Sequence, residues 1–252
     1  MSVSVVIPSF NSATFLRQAL ESALAQDPPP LEIIIQDPGS TDGTAELVAA
    51  MGDDRIRFVS EPDEGQSDAL NRGIAKASGD WIAWLNADDL LMPGLFAAAE
   101  GSDADLIYGD FDYVDAHGKV LRHVTPPAEL SAERLLAEGC YFFSGAALFR
   151  RSLFERFGGL DTSHRYAMDY ELYLRLAPHV QAQYVPKTLG AFRVHGGSLT
   201  TDITWGLVKD TARVRRRYGG YGRATRVPVL VNQAKQLVDV ATVPLRRRFR
   251  RR

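Results

Sequence analysis

Short apolar runs alternate with stretches of helical spacing through the first ninety residues, and this alternation narrows the fold more than any other property of the chain. Val3-Ser4-Val5-Val6-Ile7-Pro8, Leu31-Glu32-Ile33-Ile34-Ile35, Arg55-Ile56-Arg57-Phe58-Val59 and Trp81-Ile82-Ala83-Trp84-Leu85 read as strands. Between them, Ala13 to Ala25 has helical spacing through Phe15, Leu16, Leu20 and Leu24, and Pro28-Pro29-Pro30 stops that helix. A second helix is expected near Ala45–Met51, after a polar turn whose Ser, Thr and Asp residues suit exposed helix amides. A third runs from Gln66 to Ala77, with Gly79 ending it. Strands that are apolar throughout belong in a sheet covered on both faces, and tandem strand-helix units make that sheet mostly parallel. The expected fold is therefore α/β, with one Rossmann-like, mostly parallel sheet flanked by helices.

After Asp89 the regularity weakens. Asp105-Leu106-Ile107-Tyr108, Tyr113-Val114 and Lys119 to Val124 read as strands, with a turn at His117-Gly118. Ser131–Glu138, Ser152–Phe157 and Met168–Leu176 read as helices, the last stopped at Pro178. No internal repeat is evident. The expected organisation is a domain over residues 1–200, made of a ligand-binding half (1–90) and a second half (91–200), followed by a basic amphipathic helical tail (201–252). The charge supports that division: residues 201–252 carry 14 Lys and Arg against 3 Asp and Glu, leaving 15 against 28 in residues 1–200. An acidic body with a basic tail predicts different partners at the two ends.

Several classes are disfavoured. A single Cys140 leaves no disulfide framework or cysteine-rich zinc site and fits a reducing compartment. The start of the chain does not resemble a signal peptide, and no apolar run approaches the roughly 18–20 residues that span a bilayer. The expected location is cytoplasmic. No Gly-x-Gly-x-x-Gly follows the first strand and no Gly-x-x-x-x-Gly-Lys-[Ser/Thr] occurs, so dinucleotide and P-loop readings lose their main support.

The chemistry concentrates at Asn86-Ala87-Asp88-Asp89, where an apolar strand delivers polar side chains to its carboxyl end. Ligands bind there in open α/β sheets. A carboxylate at that point can hold a hard divalent cation and leave coordination positions for phosphate oxygens. With no glycine loop to cradle phosphate, a metal held by Asp88 is the economical means of neutralising a nucleoside diphosphate.

Four segments in order resemble inverting glycosyltransferases of family two, which have the GT-A fold: Val5 to Asn11, Asp37 to Thr44, Asn71-Arg72-Gly73 through Gly79-Asp80, and Leu85 to Asp89. Met168-Asp169-Tyr170-Glu171 and Arg193 to Ser198 match more loosely, so the resemblance covers about residues 3–200. It implies that Pro8 and Phe10 border the base of a nucleotide diphosphate sugar and that Asp37 contacts the nucleoside. Gln66 and Asn71 would lie near the nucleotide. Asn86 stands where the family's Asp-x-Asp signature has its first acid; it would bond the ribose, with Asp88 on Mn²⁺ or Mg²⁺. Gln36 stands where the family often has an acid. His195 would reach the metal, and Asp169 would be the general base. Tyr108-Gly109-Asp110 follows another strand, and Asp110 is a candidate sugar contact.

Structural alternatives stand beside these roles. Asp37 suits a turn-forming carboxylate, Asn71 a structural amide, Asp89 a helix cap, and Asp169 a first-turn acid favoured by the helix dipole. Glu171 cannot share the base role, because side chains two apart on a helix diverge. The expected activity is metal-dependent inverting transfer of a sugar, from UDP above other carriers, to a glycan or lipid-linked hydroxyl in cell-surface polysaccharide synthesis. The alternatives are a sugar-nucleotide-binding scaffold subunit and a sugar nucleotidyltransferase. In the tail, Val227 to Val243 reads as an apolar-faced helix and Arg246 to Arg252 as a basic end. Interleaved basic and apolar residues suit an anionic membrane surface, placing the protein at the inner face of the membrane, or a homo-oligomer contact. Nucleic acid is not expected, since no binding motif accompanies the charge.

Overall fold

A computed structural model describes residues 1–196 and 205–219. Its frame is one sheet in which nine strands take part among the described residues. The first half comprises β1 (Val3–Pro8), α1 (Ala13–Leu24), β2 (Glu32–Asp37), α2 (Thr44–Ala49), β3 (Ile56–Ser60), α3 (Gln66–Lys76) and β4 (Trp81–Trp84). The second half comprises β5 (Leu90–Leu91), β6 (Leu106–Asp115), β7 (Val120–Val124), α4 (Ala132–Glu138), β8 (Ala147–Arg150), α5 (Arg151–Phe157), α6 (Met168–Leu176), β9 (Ala182–Val194) and α7 (Trp205–Arg217). The strand order is β3-β2-β1-β4-β8-β6-β9-β5, with β7 paired to the outer part of β6.

The four strands of the first half run parallel. The apolar runs of β1, β2 and β4 follow from burial on both faces, whereas β3, at the edge of the sheet, leaves Arg57 exposed. Val5, Ile7, Ile33 and Ile35 pack with Leu16, Leu20 and Ala23 of α1, while the alternate residues Val6 and Ile34 pack with Leu70 and Ile74 of α3. Gly73 belongs to this second layer because a Cβ there would strike the Val6 side chain. All β1 residues are buried, so its carboxyl end emerges from the core at Pro8 and leaves Phe10 exposed.

The second half is mixed: β8 runs antiparallel to β4 and β6, whereas β6 and β9 are parallel. Two strands expected at Asp105–Tyr108 and Tyr113–Val114 are one, β6, because Gly109 to Asp112 go on pairing with β9 across two shifts of register at Asp110. The strands β8 and β9 are additions to the sequence reading. In β9 the pairing with β6 jumps from Val185 to Thr188, so Pro186 and Lys187 lie outside the ladder. A proline without an amide proton is tolerated at such a bulge.

The basic stretch begins with a helix that packs on the body. Val214 of α7 is fully buried in the cluster containing Leu135, Tyr170 and Leu172. The expected helix at Val227–Val243 and the arginines at Arg246–Arg252 lie outside the described residues, as do Gly197 and Ser198 of the looser resemblance. Among the described residues, no helix is long and apolar enough to cross a membrane.

Candidate active site

The parallel strands β1 and β4 lie side by side, and the chain leaves β4 through the loop Asn86-Ala87-Asp88-Asp89. Asn86 organises this loop. Its Oδ1 accepts from Trp84 Nε1 and from Gln66 Nε2, each at 2.9 Å, and its Nδ2 donates to Asp89 Oδ2 at 2.8 Å. The indole is a donor only, which fixes the orientation of the amide. Asp89 is buried and also accepts the backbone N–H of Arg193 at 2.8 Å. Burial, with the neighbouring Asp88 charge adding to it, pushes the Asp89 carboxyl well above the usual carboxylate range. Asp89 does not cap a helix: the two-residue strand β5 follows it.

The end of β9 closes over the loop. Arg193 is fully buried, and its guanidinium donates to Asp88 O at 2.7 Å, Ala116 O at 3.0 Å and Gln18 Oε1 at 2.8 Å. Burial works against its charge, and the carboxylates of Asp89 and Asp88 act to restore it. Two residues on, His195 places Nε2 at 3.0 Å from Asp88 Oδ2. The Phe15 ring lies 4.6 Å from the His195 ring and 4.8 Å from the Arg193 guanidinium. The positions Arg193 and His195 therefore address Asp89 and Asp88 together, as residues i and i+2 of an extended chain can.

Gln66, Asn86, Asp88 and His195 are thus gathered at one place, whereas other candidates are engaged elsewhere. Asp37 accepts from the amides of Gly39 and Ser40 at 2.8 and 2.6 Å and from the Ser40 hydroxyl at 2.6 Å, the pattern of a turn-forming carboxylate. Ser40 in turn accepts the Asn11 amide at 2.7 Å, joining the turns after β1 and β2. Gln36 turns toward Glu61 and Lys76. Asn71 is engaged at both ends of its amide with the backbone of Leu160, at 2.9 and 2.8 Å. Asp110 accepts from the Tyr184 hydroxyl at 2.6 Å and lies 3.3 Å from His123 Nε2.

Asp169 sits in the first turn of α6, half-buried, and accepts the Tyr170 amide at 2.7 Å. Its second oxygen lies 3.9 Å from the Cys140 sulfur. Burial pushes the Asp169 carboxyl up and the Cys140 thiol well up. Ser67 of α3 reaches Met168 at 2.9 Å, so the start of α6 adjoins the helix that begins at Gln66. Glu171 faces elsewhere, fully buried against Arg175 and Tyr218.

Among the described residues, no group of three or more His, Cys, Asp and Glu side chains is placed to hold a metal ion. The pair Asp88 and His195 nevertheless offers one carboxylate oxygen and one imidazole nitrogen, a donor set that fits a divalent cation whose remaining positions go to diphosphate oxygens and water. Sequence reading gave no role to Arg193, which opens the looser matching segment, or to Gln18 and Trp84, which carry no motif of their own, although all three hold the loop. The one signal for Arg193 was its spacing from His195.

A parallel half that ends in an acidic loop, completed by a mixed half that lays a strand across it, is the GT-A fold. Two solved structures share the fold: a mannosyltransferase of Pyrobaculum calidifontis in complex with GDP-Man and Mn²⁺ (TM-score 0.64, 22% identity, 96% of this chain and 73% of that one) and Staphylococcus aureus TarS 1-349 in complex with UDP-GlcNAc (TM-score 0.66, 15% identity, 86% and 66%). The sequence model for glycosyl transferase family 2 matches residues 4–158, more than half of the chain, and the protein belongs to that family. An uncharacterised glycosyltransferase of Rickettsia typhi is 30% identical over 215 residues, 79% of this chain and 65% of the relative. The succinoglycan biosynthesis protein ExoO of Rhizobium meliloti is 36% identical over 125 residues, 48% of this chain and 36% of the relative. The match to these curated relatives thus spans less than two thirds of their own length.

Proposed function

We propose that the protein transfers a sugar from a nucleotide diphosphate carrier, UDP before GDP, to a hydroxyl of a glycan or lipid-linked acceptor in polysaccharide synthesis, with inversion at the anomeric carbon. The observation that carries the reading is the 3.0 Å approach of Asp88 and His195 at the carboxyl end of β4, in a chain of family 2. These two side chains would hold Mn²⁺, or Mg²⁺ less readily because of the imidazole. The cation, when bound, offsets the charge that develops on the departing diphosphate.

The remaining work belongs to the chain itself. Pro8 and the exposed Phe10 flank the base, and Asp37 shapes the turn beside the nucleoside by holding Gly39 and Ser40. Gln66 and Asn86 form the ribose side, and Asp110 faces the sugar. Asp169 takes the proton of the attacking hydroxyl, and its raised pKa strengthens it as a base. A single displacement inverts the centre. The basic stretch after residue 200 serves a cytoplasmic enzyme as a peripheral contact with the inner membrane face, where lipid-linked acceptors reside.

The test is a panel of UDP- and GDP-sugars assayed for donor hydrolysis and transfer with and without Mn²⁺. Asp169→Asn is expected to keep nucleotide binding and to lose about a thousandfold in turnover. Asp88→Ala is expected to abolish the Mn²⁺ dependence together with the activity. Full activity of Asp88→Ala in the presence of chelator would overturn the metal assignment. Nucleotide binding without turnover across the acceptor panel would favour a scaffold role.

A further inference from the structure

The helix α7 fastens the polypeptide on both sides of Asp169. Ahead of it, one carboxylate oxygen of Asp210 accepts the backbone amides of Tyr166 and Ala167 at 2.9 and 3.1 Å, and the other lies 2.7 Å from His164 Nδ1. Behind it, Arg215 Nε donates to the Tyr170 hydroxyl at 3.1 Å, and the Tyr218 hydroxyl donates to Glu171 at 2.6 Å. Between the two sets of bonds only Met168 and Asp169 remain, and Met168 is held from α3 by Ser67. The fastening is interior: Asp210 is 7% exposed, His164 2%, Arg215 3% and Glu171 0%.

This arrangement is costly unless it does something. A carboxylate removed from water must be matched by donors of good geometry, and Asp210 has three. They all belong to the irregular segment between the end of α5 and the start of α6, which carries no regular hydrogen bonding of its own. Ala167, at the cap position of α6, has no side-chain oxygen for the first helical amides, so a carboxylate from another helix stands at that positive end. At the outer edge, Arg217 pairs with Asp161 at 2.8 Å, and Arg213 reaches Ser163 O at 3.4 Å.

We infer that Asp210 and His164, seconded by Arg215 and Tyr218, are positioning residues for Asp169, and that α7 belongs to the catalytic unit. The inference rests on Asp169 as the base. A base must meet the acceptor hydroxyl at hydrogen-bond distance, and a misplacement of about 1 Å costs on the order of a hundredfold in rate. Fixing the backbone at 166–167 and the side chains of Tyr170 and Glu171 leaves the first turn of α6, and Asp169 on it, little freedom to wander.

The experiment uses the full chain carrying Asp210→Asn, which keeps the volume and surrenders one acceptor. It is read by hydrogen exchange of the 164–171 amides, by titration with UDP and GDP in the presence of Mn²⁺, and by kcat and KM with the donor that the panel selects. Exchange over this segment is expected to quicken by about tenfold or more, and kcat to fall by about tenfold to a hundredfold, with nucleotide affinity unchanged. Tyr218→Phe, which deletes only the hydroxyl on Glu171, carries the same test should Asp210→Asn fail to fold. Quickened exchange with normal kcat overturns the inference, as does unchanged exchange. Full turnover of Asp169→Asn overturns the base assignment itself, and that result is obtained without touching α7.

Discussion

Asn86 shows why a departure from a family signature can be a structural requirement. An aspartate at this position would accept from Trp84 and Gln66 as the amide does, but it would have no proton for Asp89, whose oxygen lies 2.8 Å from Asn86 Nδ2. Two carboxylates in contact within a buried site cannot both stay ionised. Asn86→Asp is therefore expected to destabilise the protein by about 2–3 kcal/mol, roughly 5–10 °C in melting temperature for a chain of this size. The deficit should shrink on acidification, because a carboxyl whose folded pKa is raised loses its penalty once it is protonated and can donate. Melts of both proteins at neutral and mildly acidic pH check this; an unchanged melting temperature at neutral pH refutes the account. The residue was legible in the sequence as an exception. Its reason was not, because its partner Gln66 comes from α3 and only the fold brings that side chain to the loop. Asp37 and Asn71 each matched a motif and each also has a structural task, Asp37 in the turn with Gly39 and Ser40 and Asn71 on the backbone of Leu160.

At the scale of elements, the parallel half was readable and the mixed half only in part: β7 and α4 to α6 lie where their patterns put them, whereas β5, β8 and β9 were missed, for a physical reason. Strands buried on two faces carry unbroken apolar runs, Val5–Ile7 in β1, Ile33–Ile35 in β2 and the whole of β4. The strand β9 carries Gln183, Pro186, Lys187, Thr188 and Arg193, so its identity comes from pairing with β6 and not from its own pattern. It nevertheless holds the acidic loop in place. Arg193→Lys would keep the charge but lose the planar fork that serves Asp88, Ala116 and Gln18 at once, and about 2–4 kcal/mol of stability should go with it. Chemical denaturation should show a lower midpoint at an unchanged slope. The β6–β7 pair carries a titratable brace, since His123 lies 2.7 Å from Asp112 and 3.3 Å from Asp110. The Asp112 hydrogen bond, with the Asp110 charge, raises the His123 pKa above 6.5. A raised histidine pKa stabilises the fold at pH below the unfolded value, and this contribution disappears as pH rises through the folded value. The difference in melting temperature between the wild type and His123→Gln should therefore be small, given the half-exposed ring, present under mildly acidic conditions and absent under alkaline ones. A difference that persists at alkaline pH would show that the ring acts by packing.

At the scale of the molecule, the charge division places a boundary near residue 200, but packing continues past it. The helix α7 has an inner face of Asp210, Thr211, Val214 and Arg215, all buried, and an exposed face of Lys209, Arg213, Arg216 and Arg217. One helix thus completes the body and begins the basic surface. Residues 220–252, outside the described part, continue the basic composition, with nine Lys and Arg against one Asp. Each basic residue near an anionic bilayer contributes about 1 kcal/mol, attenuated by salt over a Debye length. The two roles can be separated by where the chain is ended. A chain ending at residue 204 uncovers Val214's pocket and leaves His164 and the amides of Tyr166 and Ala167 without Asp210, so it should lose both stability and turnover. A chain ending at Gly219 retains every one of those contacts and should turn over its donor normally, while binding to phosphatidylglycerol vesicles falls by orders of magnitude and what remains depends less steeply on salt. Cosedimentation at low and physiological ionic strength reads the second effect, and donor hydrolysis reads the first. Equal partitioning of the full chain and the chain ending at Gly219 would remove the membrane role and leave the basic surface to a protein partner or a second copy.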